Sequence, residues 1–346
     1  MASHQITIKD IARTLGISPS TVSRALKDHP DISAETRKQV QQLANSVNYR
    51  PNALALSLRR SKSNTIGVVI PEMVHHFFST VISGIDDYAF SKGYNTMLCQ
   101  TNEDPNREMR NIQALLDSRV DGLLISVSKN TQSSERLQKL IDSGFPVTFF
   151  DRVCEDVVTH KVITDDFEGG RIATRHLVRI GCKRIAHLSS PESLTIGRLR
   201  KEGYCTALQE AGLTVDPHLI LEADSSKQLH ESSEQLVTIA SEIDGIFATN
   251  DDTAVAAIQI LQRNGYKVPE DIAVIGFGDG PITDLVSPTL STVVQKGYDI
   301  GYEAARMLIS QIDNELVTLE FETRIFTPEL RVRESSQHIF KIIFLH

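Results

Sequence analysis

The sequence predicts two fold classes in one chain: an all-α helix-turn-helix unit with a short connecting helix, then a two-lobed α/β body of doubly wound parallel sheets. Three observations carry this expectation. The opening residues read as short helical segments, each with a capping residue and an apolar stripe. Residues 1–62 hold ten Lys and Arg against four acids, although the whole 346-residue chain carries a net charge of −8. From Asn64 onward, runs of Val, Ile and Leu alternate with stripes at helical spacing. The expected boundaries are 1–50 for the helical unit, 51–63 for the connector, 64–335 for the body and 336–346 for a tail.

The first helix starts at Thr7, with Asp10 three residues on in an imperfect capping box, and Ile8, Ile11, Ala12 and Leu15 as its apolar stripe. Gly16 ends it. Ser18 caps a second helix and Pro19 fits its first turn, where a missing N–H costs nothing. Val22, Ala25 and Leu26 bury one stripe of that helix. Its other face shows Ser20, Thr21, Ser23 and Arg24, short hydroxyls and one forked donor that a core helix does not need. Helix, tight glycine turn, helix is the plan in which the second helix enters a DNA major groove. Ser33 caps a third helix with Val40, Leu43, Ala44 and Val47 turned inward.

In "YRPNALALSLRRSKSN", Pro51 pushes Arg50 out of helical geometry and Asn52 caps a helix of two turns. Leu54 and Leu58, with Ala55 beside them, form its apolar side. A helix this short is unstable alone, since ~12–15 residues is already marginal in water. It must dock on something, and Arg59, Arg60 and Lys62 make an anionic partner the expectation.

In the body, ten strands are expected within "TIGVVIP", "NTMLCQT", "VDGLLISV", "PVTFFDR", "KVITDD", "RIAHLSS", "LILEAD", "DGIFATND", "DIAVIGFGD" and "LSTVV". Their order gives two similar halves, the first ending near Ile163 and the second near Thr292. "GYDIGYEAARMLISQI" reads as a helix returned to the first half, and "TRIFTPELRVRES" as a pair of strands returned to the second. Lobe 1 is thus expected at about 64–163 and 293–320, and lobe 2 at about 164–292 and 321–335, with three crossings making a hinge. Open α/β sheets bind ligands beyond the carboxyl ends of their strands. Asp151, Arg152, Asp165, Ser189, Ser190, Asn250, Asp251, Gly278 and Asp279 fall there, a set suited to a polyhydroxylated ligand or a nucleoside. Asp165 suits capping of the next helix equally well.

Composition narrows the classes. A chain 40% hydrophobic and 23% charged, with no Trp and no apolar run of spanning length, reads as soluble and not membrane-bound. "MASHQITIKD" lacks a signal-peptide pattern, which makes the cytoplasm the expected compartment. The four cysteines lie far apart without a CxxC pair, and only His75 and His76 adjoin among eleven histidines, so no metal and no cofactor is expected. "GFGDG" is not a dinucleotide fingerprint, and GxxxxGK[ST], HExxH and GxSxG are missing, so no enzyme is expected.

"TIKDIARTLGISPSTVSRAL", "ISAETRKQVQQLANSVNYRPNALALSLR" and "NTIGVVIP" together resemble the LacI/GalR family of bacterial transcription regulators, and the likeness runs to about Ser335. The resemblance implies a periplasmic-binding-protein-like (type I) body and a homodimer, or a tetramer, on a near-palindromic double-stranded operator. It implies that Thr7, Ser18, Pro19, Ser20, Thr21, Ser23 and Arg24 lie on the major groove and its phosphates. Asn52, Ala55, Leu58 and Arg59 would belong to the same DNA surface, with Leu58 the wedge that paired hinge helices push into a minor-groove step. Arg24 suits the O6 and N7 of a guanine, or a phosphate.

The resemblance further implies a small-molecule effector, a sugar or related metabolite, between the lobes. Phe78, Asp151, Arg200, Asn250 and Asp279 fall on effector positions; a core role stays open for Phe78. Two departures stand out. His75-His76 replace a usual Asn-Pro, and Gly278 replaces an acid that binds ligand hydroxyls in relatives. These leave a protein corepressor as an alternative controller, and a sugar receptor as a more distant one. The apolar "QHIFKIIFLH" extends past the likeness, and nothing in the sequence favours a role for it.

Overall fold

A computed structural model describes residues 6–47, 49, 62–131, 133–313 and 320–337. The chain divides into two compact units between residues 63 and 64.

The first unit holds α1 (Ile8–Leu15), α2 (Pro19–Ala25) and α3 (Ala34–Ser46). The Asp10 carboxylate accepts from the Thr7 backbone N–H at 2.9 Å and the Thr7 hydroxyl at 2.6 Å, so the box closes. Gly16 ends α1 at φ 64°, a left-handed conformation that a Cβ would strain. Ser18 Oγ accepts from Thr21 N–H at 3.1 Å and Ser33 Oγ from Thr36 N–H at 3.2 Å, satisfying amides that a helix start leaves unpaired. Ile11, Ala12, Val22, Ala25, Val40 and Ala44 are buried together as one small core.

The second unit holds two six-stranded sheets. The first uses β1 (Thr65–Ile70), β2 (Asn95–Gln100), β3 (Gly122–Ile125), β4 (Val147–Phe150), β5 (His160–Thr164) and β11 (Thr323–Phe326), all parallel, in the order β11-β5-β4-β3-β1-β2. The second uses β6 (Ile185–Ser189), β7 (Ile220–Glu222), β8 (Gly245–Ala248), β9 (Ala273–Gly278), β10 (Ser291–Val294) and β12 (Glu329–Arg331), in the order β12-β10-β9-β8-β6-β7. Only β12 among these runs antiparallel to its neighbour. Central strands are buried along their whole length, as helices on both faces of a parallel sheet require.

All ten expected strands form. The placement of the last two segments needs correction. "TRIF" does not join lobe 2: Thr323–Phe326 pairs in register with Lys161–Thr164 at the edge of the first sheet, and only Glu329–Arg331 reaches the second. Lobe 1 therefore takes back β11 as well as the returning helix. The third crossing lies at Thr327 and Pro328, where proline removes a ladder donor between the two strands.

One packing device recurs in both lobes. Helices α4 (His76–Ser91) and α13 (Gly297–Ile312) meet through Gly84 and Gly301; a Cβ on Gly84 would lie 2.1 Å from the Tyr298 carbonyl oxygen. Helices α7 (Asp166–Arg179) and α8 (Thr195–Glu210) meet through Gly170 and Gly203, where a Cβ on Gly170 would lie 2.2 Å from the Arg200 carbonyl oxygen. Backbone touches backbone at both contacts. The second fixes the part of α8 that carries Arg200.

Candidate functional site

Between the two sheets lies a cleft of about 420 Å³. Its walls come from the carboxyl ends of strands, the start of α4 and the start of α11 (Asp251–Arg263). Phe78, Asp151, Arg200 and Asn250 all line it, although residues 78 and 250 are far apart in sequence.

Asp151 follows β4 directly, in left-handed backbone at φ 58°. It is 6% exposed, and its carboxylate accepts only a long 3.5 Å bond from Ser126 Oγ among the described residues. Burial pushes its pKa up to about 6, against the pull of Arg152 and Arg200 nearby. Asp251, at the start of α11, is also pushed up to about 6 by burial, although Thr292 Oγ1 donates to it at 2.5 Å and Gly280 N–H at 2.9 Å.

Arg200 lies across the Phe277 ring, 3.6 Å from its centroid. Its Nε donates to Asp166 at 2.8 Å and one terminal nitrogen to the Thr249 carbonyl at 2.6 Å. The guanidinium is held rigidly, with much of its donor capacity already used. Asn250 caps α11: Oδ1 accepts from Thr253 N–H at 2.8 Å while Nδ2 donates to the Asp224 carbonyl at 2.7 Å. Phe78 is 3% exposed and belongs to the lobe 1 core, so its cleft role is confined to one edge. Asp165 caps α7 by accepting from Glu168 N–H at 3.0 Å.

Asp279 does not join this group. Its carboxylate accepts from Arg333 at 2.9 Å and pairs with Arg331, tying β9 to the chain around β12, and it does not line the cleft. Left-handed backbone at Gly278 and Asp279 turns the side chain away. Gly278 leaves room for a different acid, because a Cβ there would lie 2.9 Å from Asp251 Oδ2. Asp279→Asn is expected to lower stability by about 1–3 kcal/mol through the weakened arginine contacts while leaving small-molecule affinity unchanged. Thermal melting and calorimetry on one variant check both halves.

Several cleft residues escaped the sequence. Lys129 of lobe 1 pairs with Asp224 of lobe 2 at 2.6 Å. His75 lies between Glu72 at 3.2 Å and Asp252 at 3.1 Å, the second across the cleft. The hydrogen bond to Asp252 raises the His75 pKa against its burial. Outside the cleft, Arg198 of α8 bonds Glu155 of lobe 1 at 2.8 Å. Strand-end position was a signal for Asp224 and the His75-His76 departure was one for His75; for the others none was available.

In the first unit, Thr7, Ser18, Pro19, Ser20 and Arg24 are exposed and Thr21 and Ser23 half-buried. Ser18 Oγ also lies 2.7 Å from Ser20 Oγ and 2.8 Å from Thr21 Oγ1, which gathers three hydroxyls at the start of α2. Asn52, Ala55, Leu58 and Arg59 lie outside the described residues. Among the described residues no helix is long and apolar enough to cross a membrane, and no cluster of metal-ligating side chains occurs.

Residues 7–52 match the model of bacterial regulatory proteins of the lacI family, and residues 63–327 that of periplasmic binding proteins and the sugar-binding domain of the LacI family. The chain is 31% identical over 335 residues to the HTH-type transcriptional repressor PurR of Haemophilus influenzae (strain PittEE), covering 96% of this chain and 99% of that one. Among solved structures, a lac repressor dimer bound to operator and the anti-inducer ONPF superimposes with a TM-score of 0.83 at 25% identity, over 96% of this chain and 99% of the other. A complex of the transcriptional regulator CelR with cellobiose gives 0.73 at 27%, over 95% and 99%.

Proposed function

This chain belongs to the LacI family of bacterial regulators, a DNA-binding family controlled by small molecules, and from that premise we propose how its own residues divide the work. The chain acts in the cytoplasm as a homodimeric repressor on a near-palindromic operator. Arg24 reads a guanine edge, and the hydroxyls of Ser18, Ser20, Thr21 and Ser23 approach bases and phosphates from the start of α2. Leu58, in the connecting segment, is the minor-groove wedge. The effector is a sugar or related polyhydroxylated metabolite held between the lobes by Asp151, Arg200 and Asn250.

One observation carries the effector half: a buried carboxylate, Asp151, faces a cleft between two sheets that three chain crossings join. A ligand touching both lobes favours one closure over another. By linkage, DNA and ligand affinities then change reciprocally, typically by ~1–3 kcal/mol. Gly278 taken alone would favour a protein corepressor. The Asp251 carboxylate beside it returns an acid to that wall, which supports the small-molecule reading.

The test begins with sequencing the DNA fragments that the purified protein retains, then titrates the recovered site with and without candidate sugars. Failure to enrich a two-fold symmetric site would overturn the operator reading. Leu58→Ala is expected to weaken operator binding by about tenfold or more while changing nonspecific binding much less, because a wedge acts only where the duplex is kinked. Equal losses on both duplexes at one salt concentration would refute the wedge.

A further inference from the structure

We infer that the effector presents a protonated amine, set among hydroxyls, to Asp151, and that phosphorylated and carboxylated metabolites are excluded. This inference rests on the small-molecule reading above and narrows it to a charge class.

The cleft's own charge pairing supports it. Each lysine and arginine among its described lining residues is already bonded to an acid: Lys129 to Asp224 at 2.6 Å, Arg152 to Glu103 at 2.7 Å and Arg200 to Asp166 at 2.7 Å. Each of these cations is therefore already neutralised by a neighbouring acid, and an anionic ligand meets no uncompensated lysine or arginine charge among the described lining residues, even though Arg152 keeps an open Nε donor. Of the four other carboxylates that line the cleft, Glu72 and Asp252 flank His75, while Asp151 and Asp251 have no lysine, arginine or histidine bonded to them among the described residues. They repel an anion directly.

The two acids differ in what they can still accept. Asp251 already receives a hydroxyl and a backbone N–H. Among the described residues Asp151 has only the 3.5 Å contact from Ser126, although it is buried. Burial raises its pKa, a sign that its charged form lacks a strong donor in the unliganded cleft. A ligand ammonium supplies both charge and donors there. Its hydroxyl oxygens answer the opposite need, since Gln295 Nε2 and Arg152 Nε are buried donors with no acceptor among the described residues, on side chains lining the same cleft.

The test uses the full-length chain and three matched panels: glucose, galactose and mannose; their 2-amino-2-deoxy forms; and their 6-phosphates. Thermal shift screens each at 10-fold steps to about 10 mM, followed by calorimetry at neutral pH on any that bind. At least one amino sugar is expected to bind about tenfold or more tighter than its parent, with no phosphate binding detected. Asp151→Asn, whose folding is checked by its own melt, is expected to bring the amine-to-parent ratio close to one. A parent sugar or a phosphate binding as tightly as the amine overturns the charge class and leaves the sugar reading standing. An amine preference that survives Asp151→Asn overturns the role of Asp151. Silence in all three panels overturns both the inference and the sugar reading.

Discussion

Gly170→Val is expected to cost about 3 kcal/mol or more and to lower the melting temperature by roughly 6–12 °C, because the added carbons meet main chain that cannot rotate away. The first of them would lie 2.2 Å from the Arg200 carbonyl oxygen and 3.0 Å from its carbonyl carbon and Cα. Helix α8 must then retreat from α7, carrying the Arg200 guanidinium off Asp166, the Thr249 carbonyl and the Phe277 ring. Small-molecule binding should therefore fall further than the melt alone explains. Gly84→Val is the control. It makes an equivalent clash, 2.1 Å from the Tyr298 carbonyl oxygen, on the face of lobe 1 where α13 packs. It should destabilise comparably while leaving the Arg200 contacts in place. A melt of Gly170→Val within about 2 °C of the parent chain would refute the backbone contact as a support of lobe 2.

Such glycine contacts show where sequence reading stops. Strands were legible because parallel sheets covered on both faces need uninterrupted apolar runs, as in Gly122–Ile125 and Gly245–Ala248. Helix starts were legible because Ser18 and Ser33 satisfy amides three residues away, a wholly local event. The segment Thr323–Phe326 is mostly exposed and sits at a sheet edge. Four residues with no buried face carry no mark of which sheet they join, so the sequence reading gave it to the wrong lobe. Gly170 and Gly203 likewise carry no local mark. Their need for a bare backbone comes from helices that meet only in three dimensions.

The cleft divides the same way. Strand-end position found Asp151 and Asn250 because topology alone places carboxyl ends on one side of a sheet. Asp279 was placed with them by position and was lost to Arg331 and Arg333, more than fifty residues later in the chain. The cross-lobe pairs Lys129–Asp224 and His75–Asp252 join residues 95 and 177 positions apart. Pairings of that range depend on how the lobes face each other, which no spacing rule encodes. Charge counting along the chain could show that the body is acidic, yet only the paired geometry shows that the cleft's arginines and lysine are committed.

Asp151→Asn is expected to raise stability at neutral pH while abolishing discrimination among effectors, and the pH dependence separates this from an ordinary surface effect. The Asp151 pKa is about 6 in the folded chain against an ordinary 3.8. A carboxyl group raised on folding contributes most below its unfolded value, and that contribution is lost as pH rises through the folded value. A shift of this size corresponds to at most about 3 kcal/mol above pH ~7, with water entering the cleft reducing it. Asparagine cannot ionise, tolerates the left-handed backbone at φ 58°, and can still accept from Ser126. The variant and the parent should therefore melt together below about pH 3.8 and separate progressively as pH rises to about 6, the variant being higher and the gap levelling off above that. A constant gap across that range would mean that Asp151 is not held charged against its surroundings. A growing gap would mean that the unliganded chain keeps a destabilised carboxylate in its cleft, and that a ligand supplying a strong donor recovers the difference as binding free energy.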